Sequence, residues 1–289
     1  MTVISETNEI IIRDVELVAE LRAVEELQMD VWGRSERDVV PLSQLIAARN
    51  VGGHVLGAFD GTRLAGFAYG FIGIHGGHTI VHSHMLAVHT AYRRARLGYR
   101  LKLAQRERVK SQGLTRVTWT FDPLQSLNAN FNLAKLGALS ATYKINVYGE
   151  TTSSFLHRNG TDRLFVEWLL DSPRVVNRIE RRDTPTASPE LISRATPLVR
   201  VASDDAPFRI SHNDSFTDSH ALIDIPGDIN LLQRERPKLS LQWREATRAA
   251  FTDALAAGYV VRDFFRTERE GRPCGTYLLA RGKLEEFGS

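Results

Sequence analysis

Leu86-Ala-Val-His-Thr-Ala-Tyr-Arg-Arg-Ala-Arg-Leu-Gly-Tyr-Arg-Leu101 joins two segments of different period. Upstream, His78 to Val88 is an apolar, β-branched run that predicts a strand. Downstream, Leu97, Leu101, Ala104 and Val109 recur at helical spacing and predict a helix over Tyr92 to Gln112, ended by Gly113. Those four residues form the inward stripe, while Lys102, Gln105, Arg106 and Lys110 are expected to face water. The junction is basic, with Arg93, Arg94, Arg96 and Arg100, followed by Arg106 and Arg108. A helix N-terminus presents free backbone N–H groups and the positive end of the helix dipole. The junction therefore suits an anion without needing a metal. A basic amphipathic helix after a strand, with no ligand at all, fits the same residues.

Outward from this junction the segments alternate. Asp14 to Val31 has apolar residues three to four apart and reads as an amphipathic helix, and Pro41 to Arg49 as a second helix after the Gly33 break. Val51 to Phe59 and Arg63 to Phe71 flank the turn dipeptide Asp60-Gly61 and should pair as a hairpin. A strand at Thr115 to Phe121, a helix at Ser126 to Leu136 and strands at Ala141 to Tyr148 and Arg163 to Leu170 follow. This order predicts a mixed α/β fold, a central mixed β-sheet flanked by helices. Arg181 to Glu190 is polar and Pro-containing, as linkers and surface loops are. Beyond it come strands at Leu198 to Ala202 and Ala221 to Ile225, a helix at Leu239 to Ala257, and strands at Tyr259 to Arg266 and Thr276 to Ala280. The expected organisation is a domain at 8–171, a linker at 172–196 and a C-terminal α/β extension at 197–282, with 283–289 as an appended tail.

Composition narrows the function classes. With 289 residues, 43% hydrophobic and 25% charged, the chain can bury a sizeable core. Its apolar runs fall far short of the ~20 residues of a membrane helix, and Met1 to Arg13 lacks a signal-peptide pattern, so a soluble cytoplasmic protein is expected. The single cysteine, Cys274, excludes an internal disulfide framework. A net charge of +3 argues against a nucleic-acid partner. Arginine outnumbers lysine 31 to 6, which biased composition explains as well as anion binding does. A homodimer is neither indicated nor excluded.

His82 and His84 stand two apart on the strand that feeds the basic junction, so both imidazoles should face one side. Imidazole titrates near pH 6.5 and can take a proton directly or through water. A structural pair bonded to backbone is the plain alternative. Five histidines lie between His75 and His89, but no acidic residue in that interval completes a facial triad, and no metal is expected.

The stretch from Leu86 resembles motif A of the GNAT acyltransferase superfamily, a strand ending at Val followed by Arg/Gln-x-x-Gly-x-Gly/Ala at a helix start. Arg93 and Gly98 match its first and last positions, and Arg96 replaces the middle glycine. The resemblance implies a coenzyme A thioester held by Arg93, Arg94, Ala95, Arg96, Leu97, Gly98 and Tyr99, with main-chain groups of Leu86 and Val88 holding the thioester carbonyl and pantetheine. The run His82-Ser-His84-Met-Leu-Ala-Val88 is similar to the same strand of arylalkylamine N-acetyltransferases, which implies a catalytic proton relay at His82 and His84. Many relatives protonate the leaving thiolate with a tyrosine at a position that is Leu133 here. Tyr99, Tyr143 and Tyr148 are the remaining candidates, or the thiolate leaves unprotonated.

From Asp30 to Trp168, including Val31-Trp-Gly33, Trp119-Thr-Phe-Asp-Pro-Leu124 and Asn128-Ala-Asn-Phe-Asn132, the chain resembles a bacterial branch of predicted GNAT proteins. Some of that branch are associated with N-succinylamino acid racemases, which implies succinyl or acetyl transfer to a small amine such as an amino acid. Asn128, Asn130 and Asn132 would then serve the pantetheine amides, and Trp32, Trp119 and Asp122 the substrate. Trp119 as core and Asp122 as a helix cap fit equally. The alternative is a catalytically degenerate GNAT-fold protein that binds acyl-CoA or regulates a partner.

Overall fold

The computed structural model describes residues 9–33, 39–149, 159–181, 188–210, 218–269 and 271–288; of Arg94, Ala95 and Pro189 only the backbone is described. Packing divides the chain into two compact units, residues 1–118 and 119–289, a division that falls inside the span 8–171.

The first unit contains β1 (Ile11–Asp14), α1 (Val18–Trp32), α2 (Leu42–Asn50), β2 (His54–Asp60), β3 (Arg63–His75), β4 (His78–Val88), α3 (Leu97–Ser111) and the start of β5 (Arg116–Phe121). Strands run in the order β1-β2-β3-β4-β5. The first three pairings are antiparallel and β4 pairs with β5 in parallel, so the sheet is mixed as expected. The two-residue loop between Asp60 and Arg63 carries Gly61 at φ +59, a conformation that glycine adopts without strain. One sheet face packs Phe67, Tyr69 and Met85 against Leu21, Val24, Leu27 and Leu45 of α1 and α2. On the other, Leu56, Ala58 and Ala68 meet Leu97 and Leu101 of α3. With helices on both faces, β2 and most of β3 read as continuous apolar runs.

Two expectations need correction here. The helix predicted over Tyr92 to Gln112 is two pieces, a 3-10 turn at Thr90–Ala95 and then α3 from Leu97, because Arg96 between them adopts a left-handed conformation (φ 52°, ψ 25°). Lys102 and Gln105, assigned to water by their polarity, are buried, since the sheet face beneath them offers polar partners from β2 and β4.

In the second unit, β6 (Leu139–Lys144), β7 (Arg163–Leu169), β8 (Thr196–Val201), β9 (Pro207–Arg209), β10 (His220–Pro226), β11 (Tyr259–Arg269) and β12 (Arg272–Arg281) run in the order β7-β6-β11-β12-β10-β8-β9. The junction is Val261 of β11 against Ser140 of β6, so the expected C-terminal extension continues the sheet of β6 and β7. Helices α4 (Ser126–Ala129), α5 (Pro173–Ile179), α6 (Pro189–Arg194), α7 (Ile229–Glu235) and α8 (Pro237–Ala256) complete the unit. Inside the expected linker, α5 and α6 each open on Ser-Pro. Ser172 and Ser188 cap them by accepting from Val175 N and Leu191 N, a start signal that the composition-based reading passed over. The expected helix at Ser126 to Leu136 begins as α4 and continues as a π-helical turn at Asn130–Lys135. The tail is folded in: Leu284 is buried against Leu139 and Val260.

Candidate active site

Both histidines sit on β4 beside a β-bulge. The ladder with β3 pairs Met85 with Tyr69 and Ser83 with Gly70, leaving His84 as the extra residue. Before the bulge, His82 and His84 face Phe71, with ring centroids 5.4 and 5.8 Å away, and His84 meets Tyr69 edge-on at 5.9 Å. The two imidazoles are 6.3 Å apart. Past the bulge the alternation inverts, so Met85 and Ala87 join the α1/α2 core while Leu86 and Val88 turn to α3. His82 is half-buried, with Nδ1 3.0 Å from Thr118 Oγ1, and His84 is exposed. Within this unit β4 pairs with β5 at Val81 and His82, and from Ser83 onward it is laddered on the β3 side.

Leu86 and Val88 also reach the first turn of α3. A Cβ placed on Gly98 would lie 3.8 Å from each of their side chains, an ordinary contact. Tyr99 N and Arg100 N both bond Arg96 O, whereas the N–H groups of Leu97 and Gly98 precede the first intrahelical acceptor. Arg93, Arg96 and Arg100 are exposed around this turn, and Arg100 donates to Ile10 O at 2.6 Å.

The other expected site residues are placed as follows. Trp32, at the end of α1, packs edge-on to Phe67 at 6.3 Å. In the second unit, Trp119 is buried against Trp168 and donates to Asn132 Oδ1 at 3.2 Å; Asn130 is half-buried and Asn128 exposed. Asp122 accepts from Leu124 N at 2.9 Å and from Arg244 of α8 through both carboxylate oxygens at 2.8 Å. Leu133 is fully buried. Tyr143 donates to Asp162 at 2.8 Å, and burial raises its pKa well above the usual phenol value. Sequence reasoning missed the Arg244–Asp122 pair and the parallel Arg248–Asp162 pair, whose partners lie 122 and 86 residues apart with no motif linking them. Among the described residues no group of three His, Cys, Asp or Glu side chains is placed to hold a metal ion.

Residues 19–137 match the family model described as Acetyltransferase (GNAT) family. This match, over less than half of the chain, is a similarity to that family. No curated protein matches the chain. Solved structures similar to it include the ribosomal-protein-S18-alanine N-acetyltransferase from Escherichia coli, at 15% identity and TM-score 0.45, covering 56% of this chain and 94% of that one. A protein of Salmonella typhimurium carrying acetyl-CoA is 18% identical at TM-score 0.44, covering 56% and 95%. Aminoglycoside 6'-acetyltransferase type Ii is 17% identical at TM-score 0.43, covering 55% and 97%. No described helix is long and apolar enough to cross a membrane.

A coenzyme A thioester fits what the GNAT segment offers. The N–H groups of Leu97 and Gly98 head a 15-residue helix, and exposed guanidinium groups flank the turn. Arg96 occupies a left-handed conformation that glycine adopts freely, and an L-residue there carries strain. Arg96→Gly is therefore expected to stabilise the protein by up to about 1 kcal/mol in thermal denaturation. Its CoA affinity should change by no more than the ~1.5–3 kcal/mol of one charged hydrogen bond. A destabilised variant would show that the arginine side chain has a structural contact outweighing the strain.

Proposed function

We propose that this GNAT protein transfers an acetyl or succinyl group from its CoA thioester to the amine of a small molecule such as an amino acid, with His82 and His84 relaying the proton. The observation that supports it is the placement of two imidazoles on one face of the bulged β4, the strand that also packs on the first turn of α3. The CoA thioester supplies the activated acyl carbon. An ammonium substrate cannot attack until it loses a proton, and the histidine pair provides the acceptor. Where Thr118 Oγ1 accepts from His82 Nδ1–H, Nε2 is the ring atom that takes that proton. Phe71 packs against both rings and restricts their orientation.

The test is release of free thiol from acetyl-CoA and succinyl-CoA offered with amino acids and arylalkylamines. Thiol release that depends on the amine is the expected result. Arg96 at the motif glycine and Leu133 at the tyrosine position favour a second reading, a GNAT-fold sensor, for which CoA binding without thiol release is the outcome. Either reading requires the α3 turn to bind CoA. Gly98→Ala should bind normally, since its Cβ meets nothing closer than 3.8 Å. Gly98→Leu should weaken binding by at least about tenfold, ~1.4 kcal/mol, while the fold survives. Calorimetric titration of CoA checks both, and unchanged affinity in Gly98→Leu would move the cofactor elsewhere.

A further inference from the structure

Beneath the β4 bulge lies a line of four buried polar side chains that the proposed reaction does not use. Lys102 Nζ, on α3, donates to Ser83 Oγ at 2.7 Å and to Gln105 Oε1 at 2.9 Å, and Gln105 Nε2 lies 2.8 Å from His54 Nε2. Exposure falls between 0% and 5% for all four. The donors run one way along the line: the ammonium donates to the amide oxygen, and the amide N–H₂ donates to the imidazole. His54 is thereby set as the tautomer protonated on Nδ1, an atom without a hydrogen-bond partner. The row crosses three strands at one level, because Gly70 of β3 is the register partner of both His54 and Ser83. A Cβ on Gly70 would come within 3.0 Å of the His54 ring, so glycine leaves that ring its place.

The position of this tether along β4 is informative. Ser83 is the residue immediately before the bulged His84, and it is the residue that Lys102 holds. In a strand, a slip of one residue sends every side chain to the opposite face. Shifting the bulge by one place would exchange the surroundings of His84 and Met85, one exposed and one in the core. Burying an ammonium costs several kcal/mol, and an apolar side chain would pack at less cost. Specifying one register is the best-attested return on a buried polar group.

We propose that Lys102 is a positioning residue, which by holding Ser83 pins the β4 bulge at His84 and so sets the placement of His82 and His84. Its kinetic consequence rests on the proton-relay reading, whereas its structural consequence does not.

The test uses the full chain with Ser83→Ala, Lys102→Met, both together, and Ser83→Thr, which keeps the hydroxyl. Amide hydrogen exchange over residues 82–86 and the NMR titration of the His82 and His84 imidazoles are read without substrate. Exchange is expected to quicken by about tenfold or more in Ser83→Ala and Lys102→Met. Both imidazole titrations should move, and in exchange over residues 82–86 the double variant should look like Lys102→Met alone, since the bond between Ser83 and Lys102 is already lost there. Ser83→Thr should restore what Ser83→Ala loses. In the acyl-transfer assay kcat should fall by about tenfold or more with the CoA dissociation constant unchanged. Should Lys102→Met fail to fold, Ser83→Ala removes the same bond at smaller cost. Wild-type exchange and wild-type imidazole titrations in Ser83→Ala would overturn the proposal. Altered exchange and titrations in a protein that releases no thiol from any acyl-CoA would support the tether while removing the acyl-transfer reading.

Discussion

Replacing both His82 and His84 by Ala lowers kcat by roughly 10²-fold or more and leaves the CoA dissociation constant almost unchanged. The split follows from the layout of the first unit. The imidazoles lie before and at the bulge, on the Phe71 face of β4, while the residues that touch the α3 turn lie after it, on the opposite face. Truncating the first pair leaves Leu86, Val88 and Gly98 in place. In the wild type the rate should rise with pH through the imidazole range, around ~6.5, because the base must be neutral to accept a proton. That rise should vanish in the double variant. Full turnover by the double variant would sink the relay, and stoichiometric Zn or Fe lost with the same substitutions would make the pair part of a metal site.

Protein stability is expected to rise with pH in two separate windows, and Lys102→Met should abolish the upper one. Desolvation lowers the Lys102 pKa from 10.5 to about 7. Burial, aided by the nearby positive charges of Lys102 and Arg108, lowers that of His54 from 6.5 to about 4. Both groups hold their protons to higher pH in the unfolded chain than in the folded one. The unfolded state thus binds more protons between pH 4 and 6.5 for His54 and between 7 and 10.5 for Lys102, and raising the pH through each window favours folding. At ~1.36 kcal/mol per pH unit, the upper window amounts to about 5 kcal/mol at most. Denaturant titrations of wild type and Lys102→Met from pH 6 to 10.5 isolate this contribution, because other titrating groups cancel in the difference. A difference that stays flat across the range would mean that Lys102 is solvated or ion-paired in solution.

Much of the first unit is readable along the chain. The strand at His78 to Val88 and the hairpin around Asp60-Gly61 fall where expected, since strand alternation and a turn dipeptide are properties of neighbouring residues. The same local reasoning went wrong where polarity alone assigned a residue to water. Lys102 and Gln105 have their partners on β2 and β4, 51 residues away at His54 and 19 at Ser83, and helical periodicity contains no information about what lies across the interface. Arg96 delayed the start of a predicted helix to Leu97 for a related reason. A left-handed φ is a property of the loop's closure, and the residue filling it here is not the glycine that would have announced it.

What the sequence by itself determined is therefore local: the strand-to-helix junction, the basic turn with Gly98 at its head, and the His82-Ser-His84 spacing follow from short-range periodicity and residue chemistry. Only the tertiary structure decided where His84 becomes a bulge, which face Leu86 and Val88 take after it, that Lys102 is buried beneath Ser83, and that Arg244 holds Asp122. Each of these depends on strand register or on partners far apart in the chain. Such pairings are chosen by the packing of the whole unit, because a polar group removed from water must find its hydrogen bond wherever the topology supplies one.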